Sequence, residues 1–185
     1  MRKGRPMKIP VLLAILTLSV ALTAAPILPL QKKLPDEIRC LAGIHRVSLT
    51  FAPLPKAMRS AGVSENRLRA IVNERLQEAW IKVVEDPSIM PQLVVSMRTA
   101  DEVDVRGVEA FALTIDVQQR VAVLRIERNN QMMLPTATFA GVAVAEEAQV
   151  VAAVERKCRS VVDSMLRAFN RAQDHKRLES RPSGE

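Results

Sequence analysis

Aromatic residues are scarce in this chain of 185 residues, which has four Phe, one Trp and no Tyr. Proteins that bind single-stranded nucleic acid stack bases on aromatic side chains, and this chain offers few of them. Its formal net charge of +7 is also misleading, because residues 1–8 hold four of the 27 basic residues. Without them the chain has 23 basic and 20 acidic residues. We therefore expect no nucleic acid among its partners.

Histidine and glycine are equally sparse, with two His and six Gly. His45 and His175 are far apart, and neither has a second ligand at the spacing of a metal site. The sequence has no Gly-x-Ser-x-Gly motif, and its glycines do not gather into a phosphate-binding loop. We predict no metal site, no cofactor and no catalytic residues.

An uncharged run over residues 9–25 follows the basic N-terminus. This order is typical of a secretory signal peptide. We place the cleavage after Ala21, since Ser19 and Ala21 satisfy the small-x-small rule and Pro26 disfavours a cut after Ala25. The run also approaches the roughly 20 apolar residues of a membrane span. The prediction is a periplasmic protein; the alternative is an inner-membrane anchor with the domain in the periplasm, touching the membrane only through this uncleaved segment.

Composition divides the rest of the chain. Three prolines and mixed charges in residues 26–39 indicate a linker, and the polar residues 173–185 indicate a disordered tail. Between them, residues 40–172 have an ordinary length for one domain. We predict a signal peptide or anchor over 1–25, a linker over 26–39, one α/β domain over 40–172 and the tail.

Hydrophobic periodicity predicts an α+β fold with the order β-α-β-β-β-β-α. Ser64 is a good N-cap for the first helix, whose apolar stripe extends to Trp80. The last helix begins at Glu146 and ends at Arg171. We expect the first two strands to pair in parallel, within a single mostly antiparallel sheet that carries both helices on one face.

The strongest strand is predicted over residues 109–128. Its alternation places Thr114, Asp116 and Gln118 opposite the apolar set, so we predict that they form a partner-binding sheet face. A change of parity near Arg120 predicts a bulge, strong twisting or burial on both faces. After a turn at Asn129 and Asn130, the partner strand over 132–144 contains Pro135, which predicts an edge or bulged strand.

Cys40 and Cys158 are the only cysteines. In an oxidising periplasm such a pair can form a disulfide, so the two are a candidate bridge between the start of the domain and its last helix. Two separate thiols are the alternative.

Five segments resemble a family of uncharacterised exported bacterial α/β proteins over about 40–172. They are residues 47–49, 75–83, 91–95, 113–117 and 137–139. In that family a small residue is usual where Trp80 stands and a Trp is usual at Phe139, so this chain departs at both positions. The resemblance implies export but no catalytic residues. The element order is also similar to small envelope domains that act as accessory or assembly factors.

These observations favour a non-enzymatic, periplasm-facing binding or envelope-assembly accessory whose partner is another envelope protein. One alternative is a small-molecule or lipid-binding domain with a cavity between sheet and helices, lined by Met97, Met132, Met133 and Met165. An enzyme is a further alternative. The sequence gives no oligomeric state.

Overall fold

A computed structural model of the chain describes residues 34–86, 88, 90–100, 107–122 and 131–180. Several predictions lie outside these residues. They are the export segment with Ala21, most of the linker, the part of the long strand beyond Ala122, the turn at Asn129 and Asn130, and the last five residues of the tail.

Within the described residues, the helices and strands follow the predicted order, with two short helices added. In chain order they are α1 (Asp36–Arg39), β1 (Arg46–Phe51), α2 (Lys56–Ser60), α3 (Glu65–Glu78), β2 (Lys82–Val84), β3 (Gln92–Thr99), β4 (Val108–Ala122), β5 (Gln131–Glu146), a 3-10 turn (Glu147–Gln149) and α4 (Val150–Glu179).

The five strands that the described residues form belong to one sheet, in the order β2-β1-β3-β4-β5. β1 pairs in parallel with β2 and with β3, through short stretches. The long pairings, β3 with β4 and β4 with β5, are antiparallel. The α+β fold is confirmed, as is the parallel pairing of β1 with β2, the strands on either side of α3. The sheet as a whole is mixed, because β1 joins the antiparallel part through a second parallel pair.

Helices α3 and α4 pack on one face of this sheet, where the alternation of β3 and β4 directs their apolar side chains. The largest fully buried side chains come from both layers: Phe111, Leu41, Met58, Leu68, Leu76, Leu93, Leu113, Ile115, Met165, Val47, Val72 and Val117. Ser64 is the N-cap of α3, as predicted. Among the helices of the described residues, none is long and apolar enough to cross a lipid bilayer.

Gly141 allows α4 to approach β5 closely. A Cβ at this position would lie 2.6 Å from Cδ of Lys157 and 2.9 Å from Cγ2 of Val161. Both distances are shorter than van der Waals contact. Because Gly141 has no side chain, α4 can lie this close to the edge strand of the sheet.

Pro135 lies on an edge strand, as predicted, because β5 ends the strand order. The register of β4 and β5 shifts between Val117 and Gln118, where Gln118 pairs with Pro135 and Thr136 is the extra residue. The hydroxyl of Thr136 donates to the Val117 carbonyl at 3.0 Å. The extra residue thus lies on β5 beside Pro135, which cannot donate to the ladder, whereas the irregularity was expected near Arg120 of β4.

Two domain boundaries differ from the prediction. Helix α1 falls inside the predicted linker, and α4 continues to Glu179 although the tail was predicted from residue 173. Residues 172–180 contain no Gly or Pro to end a helix. Ala172 is buried, and Arg39 of α1 forms an ion pair with Glu179 at 3.9 Å. The C-terminal end of α4 therefore packs against α1 and is helical, although its polar composition predicted disorder.

Candidate functional site

Thr114, Asp116 and Gln118 lie on the sheet face opposite the helices, which we call the open face. Their neighbours Leu113 and Ile115 point to the helices and are fully buried, whereas these three are partly exposed. The alternation of β4 thus places them where the sequence predicted. Their role in binding a partner stays a prediction.

Hydrogen bonds between side chains connect the middle of the open face. The hydroxyls of Ser96 and Thr114 are 2.6 Å apart, and Thr138 donates to Oδ1 of Asp116 at 2.6 Å. Because Asp116 is already engaged by a neighbouring strand, it has a structural role in the sheet. This arrangement gives the open face a polar, ordered centre.

The same face becomes apolar toward the end of β5. Val142 is 68% exposed and Val144 is 64% exposed, and their partners across the ladder are Ala112 and Ala110. Alanine side chains are too short to cover a neighbouring valine. The two valines therefore stand out from a flat surface, although an open sheet face usually carries polar side chains.

Strand β5 is also unusual as an edge. It has no charged residue from Gln131 to Ala145, and its first charged residue is Glu146. Within the part of the chain that the structure describes, no strand pairs with its outer side. Unpaired backbone groups next to exposed valines are the features that allow a further strand to be added.

The second surface feature is Trp80, at the end of α3. The Trp80 N–H donates to the Gln77 carbonyl and the Ile81 N–H donates to the Leu76 carbonyl, both at 2.9 Å. This is the Schellman motif, in which the residue after the C-cap is left-handed. Trp80 occupies that position with φ of 60°, and its side chain is 92% exposed.

Trp80 borders a half-open cleft of about 540 Å³ at one end of the domain. Ile44, Ile81 and Phe169 form its buried apolar floor. The polar lining residues are His45 from the start of β1 and Asn170, Gln173, Asp174 and Arg177 from α4. This cleft joins the end of α3 to the second half of α4.

The structure contradicts the candidate disulfide, since both cysteines are free. Cys40 is half-buried, with Sγ 3.1 Å from the Glu37 carbonyl oxygen. Its near neighbour Ala42 lines a pocket with Ala172 of α4. Cys158 precedes Ala172 by 14 residues, or about 21 Å along a helix, whereas a bridge needs Cα atoms within about 7 Å. Burial raises the pKa of the Cys158 thiol to about 11.

Among the described residues, no group of three or more His, Cys, Asp or Glu side chains could hold a metal ion. His45 lines the Trp80 cleft, and His175 lies 3.4 Å from Glu179. The two histidines line different pockets.

The four methionines proposed for a cavity do not converge either. Met97 pairs with Leu113 and Met132 with Val121, which places them about 26 Å apart along β4. Met97 and Met165 are buried in the core, whereas Met132 and Met133 are exposed on β5. The cavity imagined between sheet and helices therefore does not have this lining.

Sequence reasoning missed the Trp80 cleft. It placed Trp80 on the buried stripe of α3, but the helix ends at Glu78 and the chain reverses its direction there, so the indole points to solvent. An apolar residue at helical spacing gives no sign of this. The one available signal was the apolar residue Ile81, because an apolar residue just after the turn that ends a helix often accompanies a Schellman motif.

The chain matches no protein-family model and no curated protein sequence. Among solved structures it is similar to a minor lipoprotein from Acinetobacter baumannii, a crystal structure at 2.35 Å resolution, with a TM-score of 0.38 and 11% sequence identity. The match covers 70% of this chain and 95% of that chain. The assignment to a family of exported proteins stays a prediction, and the proposals below rest on this chain's own residues.

Proposed function

We propose that this chain is an exported, periplasm-facing domain that acts as a non-enzymatic accessory protein of the cell envelope and binds another envelope protein along β5. One observation carries the proposal: β5 is an edge strand of 16 residues that has no charged side chain before Glu146 and exposes Val142 and Val144. The basic N-terminus and the apolar residues 9–25 supply the reason for export.

Edge strands of natural proteins are usually protected against pairing by charges, prolines or bulges. The first half of β5 has such protection, since Pro135 and the register shift opposite Gln118 interrupt its ladder. Residues 140–145 have none, whereas Glu37 and Ile38 of α1 lie beside residues 137–139. An extended segment of a partner can pair with this half, where backbone hydrogen bonds give affinity and alternate side chains give specificity.

The open face beside this edge defines which segment fits. Val142 and Val144 call for apolar side chains at alternate positions of the added strand. Farther along β5, Thr138 and its partner Asp116 favour polar side chains in the added strand. Together with Thr114 and Gln118, these two residues extend the polar surface across β4. A partner strand would therefore be apolar toward one end and polar toward the other.

Two forms of the protein fit this role. Cleavage after Ala21 would release the domain into the periplasm, and retention of residues 9–25 would hold it at the inner membrane. N-terminal sequencing of the protein isolated from cells distinguishes them, since the first form begins at Leu22 and the second at Met1. The binding edge is the same in both forms.

Crosslinking in intact cells tests the partner site. A photoreactive residue replaces Val142 or Val144 in turn, and Glu74, exposed on α3, is replaced as the control. We expect adducts with an envelope protein from both valine positions and none from position 74. Mass spectrometry of the adducts should identify an extended segment of that protein.

A double substitution of the two valines completes the test. Val142→Asp with Val144→Asp places charges on an exposed edge without removing buried side chains, so the domain should fold. A photoreactive residue at position 140, on the same face of β5, should also give adducts in the unaltered background, and it should lose them in this variant. Adducts with a second copy of the chain alone, or equal yields from positions 74 and 142, would overturn the proposal.

A further inference from the structure

Trp80 occupies a backbone conformation that disfavours its own side chain. Left-handed φ costs a residue with a Cβ roughly 1–2 kcal/mol, which explains why glycine usually holds this position in a Schellman motif. Burial could offset the cost, but the Trp80 side chain is 92% exposed. Strain of this kind persists mostly at functional sites. The indole therefore contributes little to folding and is free to contact a ligand.

The wall opposite Trp80 is built from one face of α4. Asn170, Gln173, Asp174 and Arg177 follow the spacing i, i+3, i+4 and i+7, so their side chains project from the same side of the helix. None of the four forms a side-chain hydrogen bond or ion pair with another described residue. The cleft thus holds two amides, a carboxylate and a guanidinium whose hydrogen-bonding capacity no other described side chain uses.

We propose that the Trp80 cleft binds a short, uncharged saccharide. A pyranose ring has a face of C–H groups, which can pack on the flat indole, and a rim of hydroxyls that both donate and accept hydrogen bonds. The amides of Asn170 and Gln173 do both, Asp174 accepts and Arg177 donates, so together they can satisfy such a rim. The cavity volume of about 540 Å³ is within the range of ~300–1,000 Å³ typical of ligand sites.

Other ligand classes fit the cleft less well. An apolar molecule would bury the polar side chains of α4 without giving them partners, which costs free energy for each group. An anionic molecule would meet the carboxylate of Asp174 at the same wall that offers Arg177. An uncharged saccharide gives these polar groups hydrogen-bond partners and has no negative charge for Asp174 to repel. This site lies away from the open face and does not depend on partner binding at β5.

The protein carries its own reporter, because Trp80 is its single Trp and there is no Tyr. Titration of the purified full chain with N,N′-diacetylchitobiose and with maltotriose should give a saturable change in tryptophan emission for at least one of them. We expect weak, millimolar binding, since the cleft is half-open and offers one aromatic face. Vesicles of phosphatidylglycerol and phosphatidylcholine are titrated in parallel.

Variants locate the binding. Ligand-observed NMR, which needs no Trp, should show that Trp80→Gly abolishes binding and that Gln173→Ala weakens it at least threefold. Glu74→Ala, on the exposed side of α3, should bind as the unaltered protein does. Circular dichroism confirms that each variant is folded.

Three results would overturn the proposal. They are unchanged emission with both saccharides, retained binding by folded Trp80→Gly, and a change of emission with anionic vesicles but with neither saccharide. The last result would assign Trp80 to a lipid surface instead.

Discussion

Trp80 holds the same position at the end of α3 that Gly62 holds at the end of α2. The Gly62 N–H donates to the Arg59 carbonyl and the Val63 N–H donates to the Met58 carbonyl, both at 3.0 Å. These are the same two backbone hydrogen bonds that surround Trp80. Gly62 has φ of 87° and Trp80 has φ of 60°. One chain thus uses the same turn twice, once with the residue that suits it and once with a bulky side chain that does not.

This pair predicts opposite effects of substitution. Trp80→Gly should stabilise the domain by about 0.5–1 kcal/mol, because the relief of left-handed strain exceeds the added flexibility of the unfolded chain. Gly62→Ala should destabilise it by about 1 kcal/mol. Urea denaturation followed by circular dichroism measures both. A less stable Trp80→Gly variant would mean that the indole packs on the domain after all.

Gly141 predicts a steric effect at the interface of β5 and α4. Gly141→Val should cost about 1–3 kcal/mol of unfolding free energy, since its side chain would overlap Lys157 and Val161. Ala140→Val, on the open face of the same strand, adds two methyl groups without this overlap and should be close to neutral. Thermal unfolding compares the two variants. Equal stabilities would show that α4 can move away from β5 without cost.

The elements that the sequence predicted well are those with a strong local signal. The alternation of β4 and the proline at position 135 were enough to orient the open face and to place β5 at an edge. Ser64 likewise identified the start of α3. In each case local propensity and tertiary packing favour the same structure, so the local signal alone was sufficient.

The features that it did not predict depend on contacts between distant segments. The extension of α4 to Glu179 accompanies packing of Ala172 and the ion pair with Arg39. The separation of the two cysteines depends on which part of α4 lies beside Cys40. The Trp80 cleft depends on where α4 crosses the end of α3. Nothing in the spacing of these residues encodes that placement.

The two cysteines should differ in reactivity. Maleimide should label Cys40 in the native protein, because that residue is half-buried in a surface turn, and should leave Cys158 unmodified, because it is fully buried. Intact-mass measurement should therefore find one adduct in buffer and two in denaturant. No adduct until a reductant is added would instead reveal a disulfide.

Cys158 also predicts a loss of stability at alkaline pH. Burial raises its pKa from 9.0 to about 11, against an opposing contribution from Arg159 and with a smaller one of the same sign as burial from Glu155. Below pH 9 the thiol is protonated in both the folded and the unfolded chain, so it causes no pH dependence. Between pH 9 and about 11 only the unfolded chain ionises at this site, and unfolding becomes easier.

A shift of this size corresponds to about 2–3 kcal/mol. Cys158→Ala removes the titrating group at the cost of a small cavity, which does not depend on pH. The unfolding free energy of the unaltered protein minus that of this variant should therefore fall by about 2–3 kcal/mol from pH 8 to pH 11, and it can become negative. Cys40→Ala is the matched control for a thiol outside the core. If the difference for Cys158→Ala stays constant over this range, the thiol ionises without unfolding, and water must reach the centre of α4 in the native protein.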